Sequence, residues 1–599
     1  MANHSFLSVP DHSSRIIRNT FIASMAAFIV ASLTSSIGSL IDGVVIGQFL
    51  GVDSLAAFGL VSPVVIVFAL FGAVIAYGAR NRFTMLIGQS DLEGARGVFS
   101  VSLVLGVGLS ILMMAAVFLF ADPLCILLGA TGNAAELLPK ARAYLLGLAF
   151  GLPAMNASRV LGIYMPIDND RQLTVISSLS LTMVDIALDV LIAVMGGGTF
   201  GMGLATSISY YVELCILLTH FRKEDRLLRF SLAGISWKEI PVILYKGLPT
   251  GIGRVSNTVR TIILNRILAV MATAGCIAAF SVQRQADSLL NSFVFGIADT
   301  VVTLAGVLVG EENRPMLKRL TKNYVAAIGT FIVGIAVLFW FASPLFSAFF
   351  LKDDPEALQY GVRAARSYAI ALPFYALNRA YLGYLDGRGK IRISMLGSFL
   401  SEGAYMVLAA FLLLPHFGVD SVWYAFPAAQ IFLFLTMGVI IALMDRHEHV
   451  RPGDFWDWFL ALPVDFDVPE ADRIDKTITS HDEVIALSQA AWQFCDEHGC
   501  DEKRKYAISL AVEELATNTV MTGFRPGRHN TIDMRILKKG DDYILRVRDD
   551  CEIFDPVKQL QLYDSNVPLH HMGLRLAISQ ALDVQYTTML KLNNLVLRV

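Results

Sequence analysis

The sequence predicts an all-α polytopic membrane protein of twelve transmembrane helices in two six-helix pseudo-repeats, followed by a cytoplasmic α+β sandwich. Three observations predict it. Of the 599 residues, 55% are hydrophobic, and the mean hydropathy of +0.57 lies far above a soluble norm. The apolarity is uneven: residues 446–599 hold 18 Lys+Arg and 25 Asp+Glu, whereas the first 445 are a series of long apolar runs. Those runs also repeat at a fixed offset.

A helix needs about 20 apolar residues to cross a bilayer. Twelve runs qualify, at 17–41, 53–77, 97–120, 139–164, 173–195, 202–220, 242–270, 276–306, 323–345, 362–385, 394–415 and 419–443. Residues 1–14 are polar and the first run lacks a small-residue cleavage site, so no secretory leader is expected. Basic residues gather in alternate connections: Arg80, Arg82 and Arg96, then Arg222, Lys223, Arg226 and Arg229, then Arg314, Lys318, Arg319 and Lys322, then Arg388, Lys390 and Arg392. The excess of positive charge places these connections, the N-terminus and the tail in the cytoplasm, and the body in the cytoplasmic (inner) membrane.

LAAF at 55–58 answers IAAF at 277–280, and LIGQSDLEGAR at 86–96 runs in step with LVGEENRPMLK at 308–318. ADPL (121–124), LPAMNASR (152–159) and FGMGLAT (200–206) are answered by ASPL (342–345), LPFYALNR (372–379) and FGVDSVW (417–423). The chain therefore divides into 1–222, 223–445, a linker at 446–469, and a tail domain at 470–599. Two duplicated halves point to a transporter with its site between them.

The stretch IDGVVIGQFLGVDSLAAFGLVSP (41–63), GLP at 247–249 and FGMGLATSIS resemble the multidrug and toxic compound extrusion (MATE) transporters. The resemblance implies ion-coupled export of amphipathic small molecules by alternating access. Lipid-linked sugar flippases share the broader fold.

Span 5, SLSLTMVDIALDVLIAV, carries Asp185 and Asp189 in an oily run. With Ser178 and Thr182 they follow helical spacing and form one polar stripe. Ionisable groups at membrane depth are unfavourable by roughly 2.5–3.5 kcal/mol each and mark ion or substrate paths. The bland alternative is an inward-packed stripe bonded to neighbouring backbone. The family resemblance adds Asp42 of span 1 and Thr206 of span 6 and implies a coupling pocket for H+ or Na+; where the family commonly has Asn-x-x-x-Asp, this chain has Asp185.

Arg254 and Arg260 fall in the middle of span 7 and Arg284 in span 8, with Arg159 and Arg379 at repeat-related places. Some relatives of the family carry a glutamate where this chain has Asn257, which implies that this second coupling site is absent. Two readings stand: internal Arg–Asp pairing, as of Arg284 with Asp287, or a cavity positive in one half and acidic in the other. The second suits an anionic or zwitterionic amphipathic substrate.

The tail reads as strand 472–479, helices over 481–499 and 504–520, a hairpin turning at Gly540–Asp541, a helix over 571–583 and two closing strands. Glu514 and Asn518 lie four apart on one helix face, where an Asn oxygen can hold Mg²⁺ and a carboxylate can orient a nucleophile. Asp549 ends a strand, placed to accept from an adenine amine, and Gly573 opens a helix whose N–H groups can meet phosphate. This order resembles the GHKL ATPase (histidine-kinase-like) fold, and its spacing the anti-sigma-factor serine kinases. Cys551 and Met572 stand where that family has glycine, which implies loose binding of Mg-ATP and little turnover.

Two function classes follow: an ion-coupled transporter with a regulatory tail, or a membrane-anchored serine kinase or sensor with a cytoplasmic protein partner. A flippase of lipid-linked anionic substrates is a third. The six cysteines are scattered, and Cys495, His498 and Cys500 are too few for a structural zinc site. The net acidic tail excludes nucleic acid as a partner.

Overall fold

The computed structural model describes residues 13–45, 52–128, 136–224, 226–231, 234–271, 274–351, 355–448, 453–525, 530–552, 555–558 and 572–599. The first half consists of α1 (Ser13–Val45), α2 (Val52–Gly88), α3 (Leu92–Leu127), α4 (Leu138–Ala149), α5 (Leu152–Tyr164), α6 (Arg171–Val194) and α7 (Gly198–Leu218). The second half consists of α8 (Ile240–Met271), α9 (Ala274–Gly310), α10 (Arg314–Ala327), α11 (Val333–Leu351), α12 (Pro355–Arg388), α13 (Ile391–Phe399), α14 (Tyr405–Phe417) and α15 (Ser421–Glu448).

Each of the twelve runs coincides with one helix or one helix pair. Span 4 is α4 and α5, bent by 48° at Gly151 and Leu152–Pro153, where proline cannot continue the hydrogen-bond ladder. Spans 9 and 11 each contain a π-helical turn, Ile328–Ile332 and Leu400–Ala404. By length and apolarity alone, eight described segments qualify as membrane spans, and the bent pair makes nine. One of the eight, Ile391–Arg446, joins spans 11 and 12. Helices α8 and α12 are not among them, because both carry several arginines.

The duplication shows in backbone detail. Ser90 and Glu312, at matching places in the connections after spans 2 and 8, both take positive φ (63° and 52°). The next residues, Asp91 and Asn313, both cap the following helix, accepting from the N–H of Gly94 and Met316.

The halves meet through glycines near the ends that carry the basic connections. A Cβ on Gly88 would lie 2.1 Å from the Val307 carbonyl oxygen, and one on Gly310 would lie 2.3 Å from that of Met85. Gly247 approaches the Val74 carbonyl as closely, at 2.0 Å. Small residues at a crossing let helix backbones touch, which is how helices associate where no hydrophobic drive exists. The ion pair Arg80–Asp299, at 3.0 Å with Arg80 2% exposed, joins α2 to α9 beside these crossings. Arg82 adds a bidentate pair to Glu239 at 2.9 and 3.0 Å.

After α15, α16 (Phe455–Leu460) is a short helix in the stretch expected as a linker. Lys318 of α10 bonds Asp454 and Asp457 at 2.8 and 3.1 Å, and Leu460, Ala461 and Leu462 are buried in the body's core. The tail then forms β1 (Arg473–Ile478), α17 (His481–Glu497), α18 (Glu502–Asn518), β2 (Ile532–Lys539), β3 (Asp542–Asp549), α19 (Met572–Ser579), β4 (Asp583–Met589) and β5 (Leu592–Arg598). The strands make one antiparallel sheet in the order β1-β2-β3-β5-β4. Alternation sorts its side chains: Met534, Ile536, Leu545, Val547, Leu595 and Leu597 pack under the helices, which leaves Arg535, Arg546 and Arg548 for the other face.

Gly310→Val is expected to lower the apparent melting temperature in detergent by several degrees, because overpacking of a tight contact costs about 1–3 kcal/mol. Thermal unfolding followed by tryptophan fluorescence checks it, with Gly329→Val, a site with open space around its Cβ, as the unaffected control.

Candidate functional site

Helix α6 is amphipathic in reverse. Thr174, Ser178, Thr182, Asp185 and Asp189 are buried, while Leu179, Met183 and Leu191 are exposed on the opposite side. The spacing of four, four, three and four keeps all five on one face, which is the face a lipid-surrounded helix turns toward protein. Thr182 donates to the Thr34 carbonyl of α1 at 3.3 Å, and Gly38 of α1 comes within contact of the same threonine. The hydroxyls of Thr206 and Ser209 on α7 lie within hydrogen-bond reach of Asp185. Asp189 is the more deeply buried carboxylate, 2% exposed against 7%. Asp42 belongs to α1, and its side chain lies outside the described residues. The structure thus brings Asp185 and Thr206 together where α6 meets α7, with Asp189 one turn along the same buried face.

A 300 Å³ cavity lies between the halves. Ile66 and Tyr77 of α2 line one side, and Arg254, Asp299 and Arg379 the other. Arg379 stacks over Phe295 at 5.3 Å, an arrangement that leaves a guanidinium its charge while sharing it with a ring face. Arg159 reaches the Ala69 carbonyl of α2 from the first half.

Asn257 borders this cavity and a second one of 170 Å³ within the second half. Arg260, Arg284, Asp287 and Tyr368 line the second cavity. Asp287 accepts from Asn291 at 2.6 Å and Tyr368 at 2.8 Å. These bonds, rather than the expected Arg284 pair, hold the carboxylate. Arg254 and Arg284 therefore face adjacent cavities and not one.

One expectation is corrected here. Asn257 was expected to mean that the second half lacks a carboxylate at that place. The structure puts the Glu402 carboxylate there, accepting from Asn257 at 3.3 Å and from the Tyr375 hydroxyl at 2.9 Å, with Arg260 at 3.9 Å. The glutamate comes from α13–α14 instead of α8, so the acid approaches the same point from the opposite helix. Glu402 sits in the π-helical turn Leu400–Ala404, a distortion that recurs at functional sites. The division into an acidic and a basic half also gives way: Asp287, Asp299 and Glu402 accompany the arginines within the second half.

In the tail, Asn518, Asp549 and Asn593 line a 40 Å³ cavity under α18, against the roughly 300–1,000 Å³ of drug-sized ligand sites. Asp549 Oδ1 accepts from Asn593 Nδ2 at 2.7 Å and from the Cys551 backbone N–H at 3.0 Å. Cys551 fills the place next to Gly523, its Sγ 3.1 Å from where a Cβ would stand there. Glu514 lies against Gly573, whose Cβ would be 2.0 Å from the carboxylate, so this glycine makes room for Glu514. Asp549 Oδ1 is thus bonded within the domain, and residues 553–554 and 559–571, between Asp549 and Gly573 in the chain, lie outside the described residues. No described group of His, Cys, Asp or Glu side chains has the arrangement of a metal site.

Residues 27–191 and 249–412 match the MatE family, one stretch in each half. The chain belongs to that family. Residues 479–599 match the histidine kinase-like ATPase domain. A probable multidrug resistance protein NorM of Listeria monocytogenes is 26% identical over 282 residues, 45% of this chain and 60% of that protein. The counterpart in Photorhabdus laumondii is 24% identical over 341 residues, 54% of this chain and 72% of its own. This chain thus covers three fifths of the Listeria relative's length. A mutant of the Vibrio cholerae MATE transporter VcmN superposes with a TM-score of 0.67 at 15% identity, covering 73% of this chain and 99% of that one. A MOP superfamily transporter from Pyrococcus furiosus, described as having a binding pocket of reverse polarity that suggests a different function, superposes with 0.66 at 20% identity, covering 73% and 97%. At these identities the structures show the fold.

Within this MatE chain, sequence reasoning missed Glu402, Asp299 and Tyr375. The signal for Glu402 was present, an acid alone in the middle of the apolar run 394–415. Asp299 shares span 8 with Arg284 and Asp287, which drew the reading to that end of the span.

Burial pushes the Asp549 carboxyl up to about 6, against the pull of its bonds from Asn593 and Cys551. The ordinary value is about 3.9, so its contribution to stability is full below about pH 4 and is lost as pH rises through 6. Asp549→Asn keeps the acceptor and removes the charge. It is expected to slow hydrogen exchange of β3 and β5 at pH 8, by a stabilisation on the order of 2 kcal/mol, and to change nothing at pH 4. Mass-spectrometric exchange on the full chain checks both arms.

Proposed function

We propose that this MatE protein is an ion-coupled secondary transporter that moves anionic or zwitterionic amphipathic molecules by alternating access, with the tail as a non-catalytic regulatory domain. The observation that carries this reading is the 300 Å³ cavity between the halves, which Arg254 and Arg379 line. A low-dielectric cavity with fixed positive charge concentrates anions, while Asp299 and Glu402 in the same wall suit a zwitterion's cationic end. The multidrug names of the relatives agree with an amphipathic small molecule as cargo.

Coupling is assigned to Asp185 and Asp189. An H+ or Na+ ion there neutralises carboxylates that the apolar surroundings disfavour when charged. Binding of the ion and of substrate to different conformations would then exchange one for the other, since a ligand shifts an equilibrium only by its difference in affinity between states. Asp42 and Thr206 complete the assigned pocket, and Asn257 with Arg284 orients the polar end of the substrate from the second cavity.

The serine-kinase alternative has less support, because Cys551 and Met572 stand where the resembling kinases have glycine. A flippase of lipid-linked anions draws on the same arginines. Transport of water-soluble zwitterions, with no transfer of labelled anionic lipid between leaflets, distinguishes the two.

In inverted vesicles, Asp189→Asn is expected to abolish ion-driven uptake, and Asp185→Asn to reduce it about tenfold or more, with both proteins inserted normally; a tenfold loss corresponds to about 1.4 kcal/mol. Full uptake by both variants overturns the coupling assignment. Arg254→Ala is expected to raise KM for anionic substrates more than for cations, and equal effects on both would make the arginine structural.

A further inference from the structure

The body-facing side of the tail's sheet carries three arginines. Arg548 and Arg546 pair with Glu311, the latter at 3.1 Å, and Arg535 donates to the Glu311 and Glu312 carbonyls at 3.4 Å. Lys539 adds an ion pair to Glu312 at 2.5 Å. Burial works against the ionised Glu311, yet Arg548 and Arg546 prevail and hold its carboxyl below the usual range. This cluster grips the connection between spans 8 and 9, in the second half.

The other end of the sheet grips the first half. Leu590 and Lys591, which turn the chain from β4 to β5, have φ of 56° and 60°. The Leu590 N–H donates to the Ile167 carbonyl at 2.9 Å, and its own carbonyl accepts from Arg171 at 2.6 Å. The Lys591 N–H donates to Asn169 Oδ1 at 2.5 Å. Met589 and Leu590 are buried within the core of the membrane body, not of the tail.

One rigid sheet therefore joins the two halves. Strands β3 and β5, which carry the two sets of contacts, pair continuously from Ile544–Arg598 to Asp549–Asn593. Both gripped connections lie on the face where Arg80–Asp299 and the glycine crossings already close the halves together. Separation of the halves there must break one grip. The chain itself and the α16 contacts with Lys318 tie the tail to the second half, so the turn at Leu590–Lys591 is the one that lets go.

We propose that the C-terminal domain is a latch between the two membrane halves, fixed to the second and released from the first at the Leu590–Lys591 turn when the cytoplasmic side opens. The proposal rests on the alternating-access reading. The test uses the full chain with spin labels at Glu93→Cys and Arg392→Cys, exposed sites at the cytoplasmic ends of the two halves, in a background without the native cysteines. Leu590→Asn, a residue that accepts positive φ, and Asn169→Gly, which removes the acceptor at a residue with φ of 64°, weaken the grip on the first half. Distances are read by pulsed electron resonance without substrate, and hydrogen exchange follows residues 165–171 and β3 in the same samples.

The expected result is a longer-distance population that rises about tenfold in the double variant, equivalent to about 1.4 kcal/mol, with faster exchange at 165–171 and unchanged protection in β3. Faster exchange at 165–171 without any change in distance overturns the latch, because the turn has then left and the halves have stayed together. Unchanged exchange at 165–171 overturns it too, since the turn then holds nothing. Neither readout needs transport, so failure of the latch is distinct from failure of the transport reading, which the Asp189→Asn uptake assay decides.

Discussion

The buried Arg80–Asp299 pair is the interaction on which the rest of the architecture depends. Each partner comes from a different half, and Asp299 is also a wall of the cavity between them. Leaving one member of such a pair alone costs about 3–5 kcal/mol, more than most single contacts in the molecule contribute. The pair forms only because glycines on α2, α8 and α9 let the helix backbones touch. Cavity, closure and charge are therefore one arrangement: the residue that shapes the cavity is the residue that ties the two halves together beside it.

The same scarcity of water governs the side chains farther in. Helix α6 shows its oily face to lipid and keeps its threonines and aspartates for protein, the inverse of a soluble amphipathic helix. Glu402 finds Asn257 and Tyr375, and Asp287 finds Asn291 and Tyr368. Glu402 and Asp287 thus each accept from two neutral donors, whereas Asp299 is held by the Arg80 guanidinium.

Much of the fold was legible in the sequence because the bilayer allows few solutions. Span positions follow from run length, and the duplication from five matched segments. The tail's strands and helices were equally readable from periodicity. The stripe Ser178–Thr182–Asp185–Asp189 could be placed on one buried face from spacing alone. What a helix meets across a gap was not legible. Nothing local tells that Glu402, and not a residue of span 7, supplies the carboxylate at Asn257, or that Asp287 bonds Tyr368 rather than Arg284. Cys551 and Met572 marked the tail pocket as unusual, but its closure by Asn593 on Asp549 is a pairing between strands β3 and β5 that single-chain patterns do not specify.

The matched connections after spans 2 and 8 share their positive-φ residue and their cap, so the body offers the tail two nearly equivalent seats. They differ in one residue that matters to arginine: Gln89 in the first, Glu311 in the second. A single domain occupying one of two like seats breaks the pseudo-symmetry of the body. The charge of Glu311, which Arg546 and Arg548 hold, gives the domain a single address on a body that would otherwise offer it two.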